Sequence, residues 1–344
     1  MHMEKKLFGT TPDGQVVEAY TLRAGNLSAT VLTLGGILQT LCVDGCDIVA
    51  GYDTVEGYLN SDGYMGALIG RYANRIRGGT FTMNNRVFTL NANEKGINHL
   101  HGGNVGFDKR IWTAVPAMMQ GGEGLVLTLV SPDGEEKYPG TARVRVTYLL
   151  SPGCLAIHYE AVADRDTPFN MTNHSYFNLN GYDSGDIYDH TLQLYADRYS
   201  EVDASLIPIN IAPVDQTPFD FRRPKRLGDD IASAHPQIVR GNGYDHNYYL
   251  NQEESMKWEH YTLYRAAYLS AKKHTMRVYT NLPCIQLSTA NFMGGPIPLK
   301  GGAPKCNQHA VCLETQFAPD GPNRGESILK AGESWDYTTL FALD

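Results

Sequence analysis

Two ionisable side chains stand among apolar neighbours at positions far apart in the chain. His174 lies in TNHSYFNL (172–179), and Glu314 lies in LETQ (313–316). A titratable side chain in a buried segment is usually paired with another group or used in catalysis. A carboxylate and an imidazole together supply a base and an acid, which a reaction that moves two protons requires.

Each of these residues also has a structural interpretation. His174 could be a core histidine whose ring nitrogens bind backbone groups and Asn173 or Asn178. Asp245, in GYDHN (243–247), could be a turn aspartate beside glycine. Glu314 is harder to explain in this way, because a buried carboxylate needs a cationic partner or a ligand hydroxyl.

The motifs of several large enzyme classes are absent from the sequence. It contains no GxGxxG, P-loop, GxSxG or HExxH, which argues against common nucleotide-dependent enzymes, serine hydrolases and zinc proteases. His99 and His101 would lie on one side of a strand, as metal ligands sometimes do. No third ligand is near them in the sequence, so two loop histidines before Gly102 are the simpler interpretation.

Composition indicates a soluble globular protein that binds neither nucleic acid nor a membrane. The net charge of −8 argues against polyanionic partners, and 42% hydrophobic with 19% charged residues is typical of a chain with a substantial core. No apolar run is long enough to span a bilayer, and no signal peptide is evident. Six scattered cysteines without a CxxC pair indicate reduced thiols, and we therefore predict a cytoplasmic protein.

Short alternating segments separated by turn residues must position these side chains. Strands are predicted at 27–43 with a break at Gly35, at 81–90 around Asn84, and at 125–130, 142–148, 155–162 and 276–279. The turn Asp44-Gly45 is a strong hairpin signal. Helical periodicity predicts only two short helices, at 225–234 and 252–260. With no repeat or linker, residues 1–344 are predicted to form one all-β domain, a large and mostly antiparallel β-sandwich.

Six separated segments resemble, in the same order, those of the aldose 1-epimerase (galactose mutarotase) family. They are GRYANRI (70–76), LHGG with GFDK (100–109), YPG (138–140), the run that contains His174, GYDH (243–246), and CLETQ followed by PD (312–320). Each segment alone is modest. Together and in this order they are specific to the family.

The resemblance implies that Glu314 is the general base and His174 the general acid of an anomer interconversion. It implies an open sugar-binding cleft in the β-sandwich, few short helices, no metal and no organic cofactor. The substrate would be a small monosaccharide, an aldohexose such as galactose or glucose, and the protein a monomer or a homodimer. The positions that match the family's sugar contacts are Asn74, Arg75, His101, Tyr176, Asp245 and Gln286.

The implied chemistry sets a protonation requirement. Glu314 would take the proton of the C1 hydroxyl while His174 gives one to the ring oxygen, so the first must be ionised and the second protonated. We expect a nearby carboxylate to raise the pKa of the histidine, and Arg75 to keep acidic partners charged. We also expect the pair to face each other across a sugar-sized gap.

Two departures from the family pattern leave the substrate open. LSTANF (287–292) replaces a stretch where aromatic residues and a glycine are more common, and Ala318 stands where an aromatic is common. Smaller residues near the cleft could admit another sugar or a larger saccharide. One alternative function is a hexose-6-phosphate 1-epimerase, which needs several basic residues around the phosphate. Another is a non-catalytic sugar-binding or regulatory protein, which would tolerate loss of His174 or Glu314.

Overall fold

Strands dominate the computed structural model, which describes residues 3–344. The first ten strands are β1 (Glu4–Thr10), β2 (Val16–Ala24), β3 (Leu27–Leu32), β4 (Leu38–Val43), β5 (Cys46–Asp47), β6 (Leu68–Ile69), β7 (Arg75–Ile76), β8 (Thr80–Met83), β9 (Arg86–Thr89) and β10 (His99–Leu100). The next ten are β11 (Thr113–Met119), β12 (Gly122–Ser131), β13 (Ala142–Ser151), β14 (Cys154–Ala163), β15 (Thr167–Pro168), β16 (Thr172–Asn173), β17 (Thr191–Leu194), β18 (Ala196–Val202), β19 (Pro208–Pro213) and β20 (Lys225–Arg226). The last are β21 (Asp245–Leu250), β22 (Ser255–Trp258), β23 (Tyr261–Ser270), β24 (Thr275–Thr280), β25 (Cys284–Ser288), β26 (Cys312–Gln316), β27 (Ile328–Leu329) and β28 (Ser334–Leu343).

Helices are short and few. The α-helices are α1 (Val55–Leu59) and α2 (Pro236–Gly241). Single 3-10 turns occur at Arg77–Gly79, Phe107–Lys109, Glu135–Lys137, Leu227–Asp229, Lys300–Gly302 and Gly321–Arg324. Within residues 3–344, no helix has the length and apolar character needed to span a bilayer.

In residues 3–344, three larger antiparallel sheets form the architecture, together with four two-stranded pairs, β10-β7, β15-β27, β16-β6 and β8-β9. β1 to β5 make one sheet in chain order, and β19-β18-β21-β25-β26 make a second. The third has ten strands in the order β11-β12-β13-β14-β28-β24-β23-β17-β20, with β22 paired to β23. β2 and β3 pack on β12 and β13, so the first sheet covers part of the largest one. The prediction of an all-β, mostly antiparallel sandwich is confirmed.

The core lies between the sheets and is continuous across them. In β13, one face of the strand meets this core: Val144 and Val146 are buried, whereas Arg143 and Arg145 face solvent. The largest buried cluster joins Val146 to residues of the other two sheets, such as Val31 and Tyr248. A single domain over residues 1–344 stays a prediction, and residues 1–2 lie outside the described part of the chain.

The predicted turns are confirmed by their backbone angles. Asp44 and Gly45 join β4 to β5 with φ values of 49° and 79°, and Asn84 and Asn85 join β8 to β9 with φ values of 51° and 59°. Positive φ at both central positions is the geometry that matches the twist of a two-residue hairpin.

Both predicted helices are wrong. In 225–234, β20 pairs with β17 and a 3-10 turn follows, while α2 begins only at Pro236, where the His235 side chain caps it. In 252–260, β22 pairs with β23, and Met256 and Trp258 are half-buried at alternate positions. Pairing with a neighbouring strand outweighs a weak helical propensity in such short segments.

Candidate active site

Adjacent strands of the second sheet carry the acidic side of the site. Gln286 in β25 and Glu314 in β26 are directly opposed in the strand register, so their side chains share one face of the sheet. Asp245, the first residue of β21, lies opposite Ser288 of β25. The Gln286 amide donates to Asp245 Oδ1 at 2.8 Å. The sheet therefore holds both carboxylates on one face, on the two strands that flank β25.

His174 is held at this site by its own backbone and by two aromatic rings. It directly follows β16, and its N–H donates to the Ala67 carbonyl at 2.9 Å. The imidazole stacks on Tyr176, with ring centroids 5.1 Å apart, and on Tyr64 at 6.1 Å. These contacts fix the plane of the ring.

The two ionisable groups meet in one cleft. His174 Nε2 lies 3.6 Å from Glu314 Oε1, and both residues line a cavity of ≈ 470 Å³. The pair is therefore side by side, instead of being separated by the width of a sugar as the sequence led us to expect. Adjacent positions suit a reaction at one carbon, because the C1 hydroxyl oxygen and the ring oxygen of a pyranose are both bonded to C1.

The pair has unused hydrogen-bonding capacity. Glu314 is 2% exposed and His174 7% exposed. Among residues 3–344, neither Glu314 Oε2 nor His174 Nδ1 has a hydrogen-bond partner. A buried polar atom without a partner costs about 1–3 kcal/mol. Such a cost is typical of a functional site that a ligand completes.

Burial sets the protonation of the pair. It lowers the pKa of His174 to about 4. Burial also raises the pKa of Glu314 well above its ordinary value; Asp245 adds to this rise and Arg75 opposes it. The expectation that a carboxylate raises the histidine's pKa is therefore wrong, because desolvation disfavours both charged forms.

Arg75 is oriented by a carboxylate that the sequence did not reveal. Its Nε and Nη2 donate to Glu94 at 3.0 and 2.8 Å, in a two-pronged ion pair. Nη1 has no hydrogen bond to the described protein atoms, and Arg75 lines the cleft. Fork-shaped pairing fixes the guanidinium plane, so the remaining donor has a defined direction. Glu94 lies in a polar loop, ANEKG (92–96), which has no recognisable motif.

His101 is a hydrogen-bond donor to the cleft. Its Nδ1 accepts the Asn74 N–H at 3.0 Å, so the hydrogen of the neutral ring must be on Nε2. Burial and the neighbouring His174 lower the pKa of His101 well below its usual value, which keeps the ring neutral.

The same hydrogen bond bears on metal binding. Ligand atoms of His101, His174 and Glu314 lie within 4.8 Å of one another. A metal at His101 Nε2 would need the hydrogen on Nδ1, where it would oppose the Asn74 N–H. His99 points elsewhere, to the Asn91 carbonyl at 2.7 Å and the Tyr138 hydroxyl at 2.5 Å. The donor set suits sugar hydroxyls better than a metal ion.

The other predicted contacts differ in how they reach the cleft. Tyr176 lines it with its ring, since its hydroxyl already donates to the Gly63 carbonyl at 2.7 Å. Asn74 also lines it, while its Oδ1 accepts the Arg75 N–H at 2.9 Å. Gln286 lies behind Asp245 and is not part of the cleft surface.

Several cleft residues were not found from the sequence. Tyr64 has a φ of 52° and meets the ring of His101 edge-on at 4.7 Å. Phe292, which is 69% exposed, belongs to the segment that departs from the family pattern. Ser288 and Ala290 of that segment line the cleft as well, whereas Ala318 does not, because it is buried beside Tyr72.

Arg71 has a structural role away from the cleft. Its guanidinium donates to Gly140 O at 2.8 Å and to Ser131 Oγ at 2.6 Å. Burial lowers its pKa to about 10. These bonds tie segment 70–76 to segment 138–140, because the Arg71 side chain binds the backbone of Gly140.

Comparisons with known proteins give matches over nearly the whole chain. A family model described as aldose 1-epimerase matches residues 18–342. The galactose mutarotase of Mus musculus is 40% identical over 98% of this chain and 97% of its own length. The aldose 1-epimerase of Escherichia coli K12 is 34% identical over 96% of each chain. The crystal structure of a galactose 1-epimerase from Lactobacillus acidophilus NCFM is 30% identical, covers 100% of this chain and 99% of its own, and has a TM-score of 0.89.

Proposed function

The chain belongs to the aldose 1-epimerase family, and we propose that it interconverts the anomers of galactose or glucose with Glu314 as base and His174 as acid. It is thus an isomerase that acts on a sugar. The observation that carries the assignment of roles is the buried pair, 3.6 Å apart, with unpaired polar atoms in a cleft of sugar-binding size.

Ring opening and ring closure each need only two proton transfers. Glu314 accepts the proton of the C1 hydroxyl as the C1–O5 bond breaks, and His174 gives its proton to the ring oxygen. The open-chain aldehyde turns about the C1–C2 bond. The O5 hydroxyl then attacks the other face of the carbonyl, returning one proton to His174, while Glu314 reprotonates the new C1 hydroxyl.

The mechanism requires that Glu314 and His174 carry one proton between them. The raised pKa of Glu314 and the lowered pKa of His174 favour a protonated carboxyl beside a neutral imidazole. The working form, carboxylate beside imidazolium, has the same total number of protons. A C1 hydroxyl that donates to Glu314 favours the carboxylate, and a ring oxygen that accepts from His174 favours the imidazolium.

The remaining polar groups hold the sugar while its ring opens. Arg75 Nη1 and His101 Nε2 are donors, and Asp245 is an acceptor, so hydroxyls find both kinds of partner. Tyr176 and Phe292 offer ring faces for the sugar's C–H surface. Interactions of this kind fix C1 next to the catalytic pair.

The two alternative functions have less support. Phosphate binding would need several free cations, but Arg75 is paired with Glu94 and Arg71 is buried elsewhere. Of the described basic residues that line the cleft, this leaves Lys305 alone without a carboxylate partner. A non-catalytic binding protein would not need the adjacent acid and base, which this chain retains.

Polarimetry tests the function directly. The protein, added to freshly dissolved α-galactose or α-glucose, is expected to speed the approach to the anomeric equilibrium without changing the final rotation. Boiled protein and buffer alone serve as controls. Unchanged rates for both sugars, and for xylose and arabinose, would favour the binding-protein alternative.

The rate of mutarotation is expected to fall at both low and high pH. As pH falls through about 4, a second proton binds His174, no base remains in the pair, and kcat/KM decreases. As pH rises through the raised pKa of Glu314, the pair loses its only proton, and kcat/KM decreases again. Polarimetric rates, corrected for the spontaneous reaction and accompanied by circular dichroism at each pH, measure this profile. An acid limb near 6.5, the ordinary pKa of histidine, would contradict the role of burial.

Three further properties belong to the same proposal. The six cysteines are all free thiols, which supports a reducing, cytoplasmic location. The continuous core supports one domain over residues 1–344. The protein is a monomer or a homodimer, and it binds a small sugar, not nucleic acid or a membrane.

A further inference from the structure

The turn at 134–138, which leads into the segment YPG (138–140), has a strained backbone. Glu136 and Lys137 have φ values of 50° and 70°, in the left-handed region that costs energy for residues other than glycine. Such strain persists only where the surrounding structure requires it, and it is common at functional sites. Neither residue lines the reaction cleft, so any effect of this turn on the reaction must pass through other residues.

The Glu136 carboxylate is bound by three N–H groups. Its Oε2 accepts the Asn104 N–H at 2.9 Å and the Asn91 side-chain amide at 2.8 Å, and its Oε1 accepts the Val105 N–H at 3.0 Å. Two successive backbone N–H groups that converge on one anion make a strong, charge-assisted contact. A Cβ at Gly103 would collide with Glu136 Oε2, so the loop approaches the carboxylate as closely as glycine permits.

The same turn also binds the chain on the other side of His101. The Tyr138 hydroxyl lies 2.5 Å from His99 Nε2, and His99 Nδ1 lies 2.7 Å from the Asn91 carbonyl oxygen. Because a carbonyl oxygen can only accept, the ring hydrogen is on Nδ1, and the Tyr138 hydroxyl donates to Nε2. The Asn91 side chain donates to Glu136, so the contacts form one network. We call its members the clamp: Asn91, His99, Glu136 and Tyr138.

His101 lies between the two attachments of the clamp. His99 precedes it, and Asn104 and Val105 follow it in the same loop. His101 has a φ of 50°; its N–H donates to the Asn74 carbonyl at 3.1 Å, and its Nδ1 accepts the Asn74 N–H at 3.0 Å. The direction in which Nε2–H points into the cleft therefore depends on where the clamp holds the loop.

We propose that Glu136 is a positioning residue for sugar binding, which fixes the loop so that His101 Nε2 meets a hydroxyl of the sugar. This inference rests on the proposed function, because the sugar must bind against His101. Glu136 transfers no proton and does not contact the sugar. Loss of its contacts should therefore weaken sugar binding more than it slows the proton transfers at Glu314 and His174.

Glu136→Gln tests this role. One acceptor oxygen becomes an NH2 group, which cannot accept a backbone N–H. We expect KM for galactose to rise about fivefold or more, the effect of one weakened hydrogen bond, while kcat changes by less than about twofold. Polarimetric rates over a range of galactose concentrations measure both constants. Glu253→Gln, on an exposed residue, is the matched control and should change neither. An unchanged KM in Glu136→Gln would overturn the proposal.

A double-mutant cycle shows whether the effect passes through His101. In His101→Asn, the amide oxygen can replace Nδ1 as acceptor of the Asn74 N–H, but the donor to the cleft is lost. In this background, adding Glu136→Gln should lower kcat/KM by less than about twofold, because the two residues act as a unit. A merely structural role would give the same loss with and without His101, and that result would overturn the proposal.

Lys137→Gly guards against misfolding. Glycine adopts a φ of 70° without strain, so this variant should keep the KM of the parent and have an equal or higher melting temperature. Glu136→Gln can be measured in this background if it is unstable alone. Tyr138→Phe, in the same background, removes only the hydroxyl that binds His99 and should also raise KM. An unchanged KM in that variant would overturn the role of the clamp.

Direct binding separates the clamp from the reaction. Calorimetry with galactose on Glu314→Gln should show weaker binding once Glu136→Gln is added. Equal affinities in a protein whose parent accelerates mutarotation would overturn the clamp and leave the proposed function intact. Weaker binding in a protein whose parent accelerates no mutarotation would support the clamp and contradict the proposed function. Absence of any galactose binding would contradict both.

Discussion

Glu314→Gln is expected to slow mutarotation of galactose and glucose by about 10²-fold or more, since a positioned base contributes 10²–10⁴-fold. Glutamine keeps the shape of the side chain but cannot take the C1 proton. Because the loss concerns a proton transfer and not sugar binding, it should appear in kcat, with KM little changed. Initial polarimetric rates over a range of sugar concentrations measure both constants.

Thermal stability distinguishes this effect from misfolding. Burial raises the pKa of Glu314, so folding becomes less favourable as pH rises above the pKa of the unfolded chain. The amide carries no such penalty, and the melting temperature of Glu314→Gln at neutral pH should equal or exceed that of the parent. Glu160→Gln, on a half-exposed residue of the outer sheet face, is a matched control that should retain full activity. Full activity in Glu314→Gln would remove the residue from the mechanism.

His174→Asn is expected to cause a comparable loss, about 10²-fold or more, because the ring oxygen then lacks a proton donor as the C1–O5 bond breaks. The acid limb of the pH profile, which we assign to this imidazole, should disappear with it. Polarimetry between pH 3.5 and 9, a range that brackets about 4 and the ordinary histidine value, follows both effects.

Two comparisons make the histidine result specific. His260→Asn removes an exposed imidazole and should leave the rate within about twofold of the parent. The double variant with Glu314→Gln should be little slower than either single variant, because groups that act as a unit are strongly non-additive. Losses that simply multiply would show that the two residues do not share one reaction step.

The sequence predicted the sheets better than the helices, and the reason is physical. Residues 142–146 of β13 alternate between the core and solvent, so apolar and polar residues alternate in the sequence as well. Hairpins such as Asp44-Gly45 need particular backbone angles, which few residue types adopt. Segments 225–234 and 252–260 have no strong pattern of their own. Their conformation depends on strands to which they pair, β17 and β23, and these are distant or ambiguous in the sequence.

For the candidate site, motifs predicted which residues come together but not how each one acts. Resemblance to the family led to Arg75, yet nothing in ANEKG marked Glu94 as its partner, since the contact crosses 19 residues. Gln286 lies behind Asp245, which only the strand register reveals. The pKa directions of His174 and Glu314 were not predicted either, because the sequence does not show that desolvation outweighs the effect of charged neighbours.

The two tyrosines that flank His174 determine which partner moves during a turnover. With Tyr176 at 5.1 Å and Tyr64 at 6.1 Å from its ring, the imidazole cannot swing to follow a departing oxygen. The open-chain sugar must therefore do the turning, presenting either carbonyl face to its own O5 hydroxyl while the acid and base stay in place. A stationary pair serves both anomers alike, so forward and reverse turnover use one and the same arrangement of protein atoms.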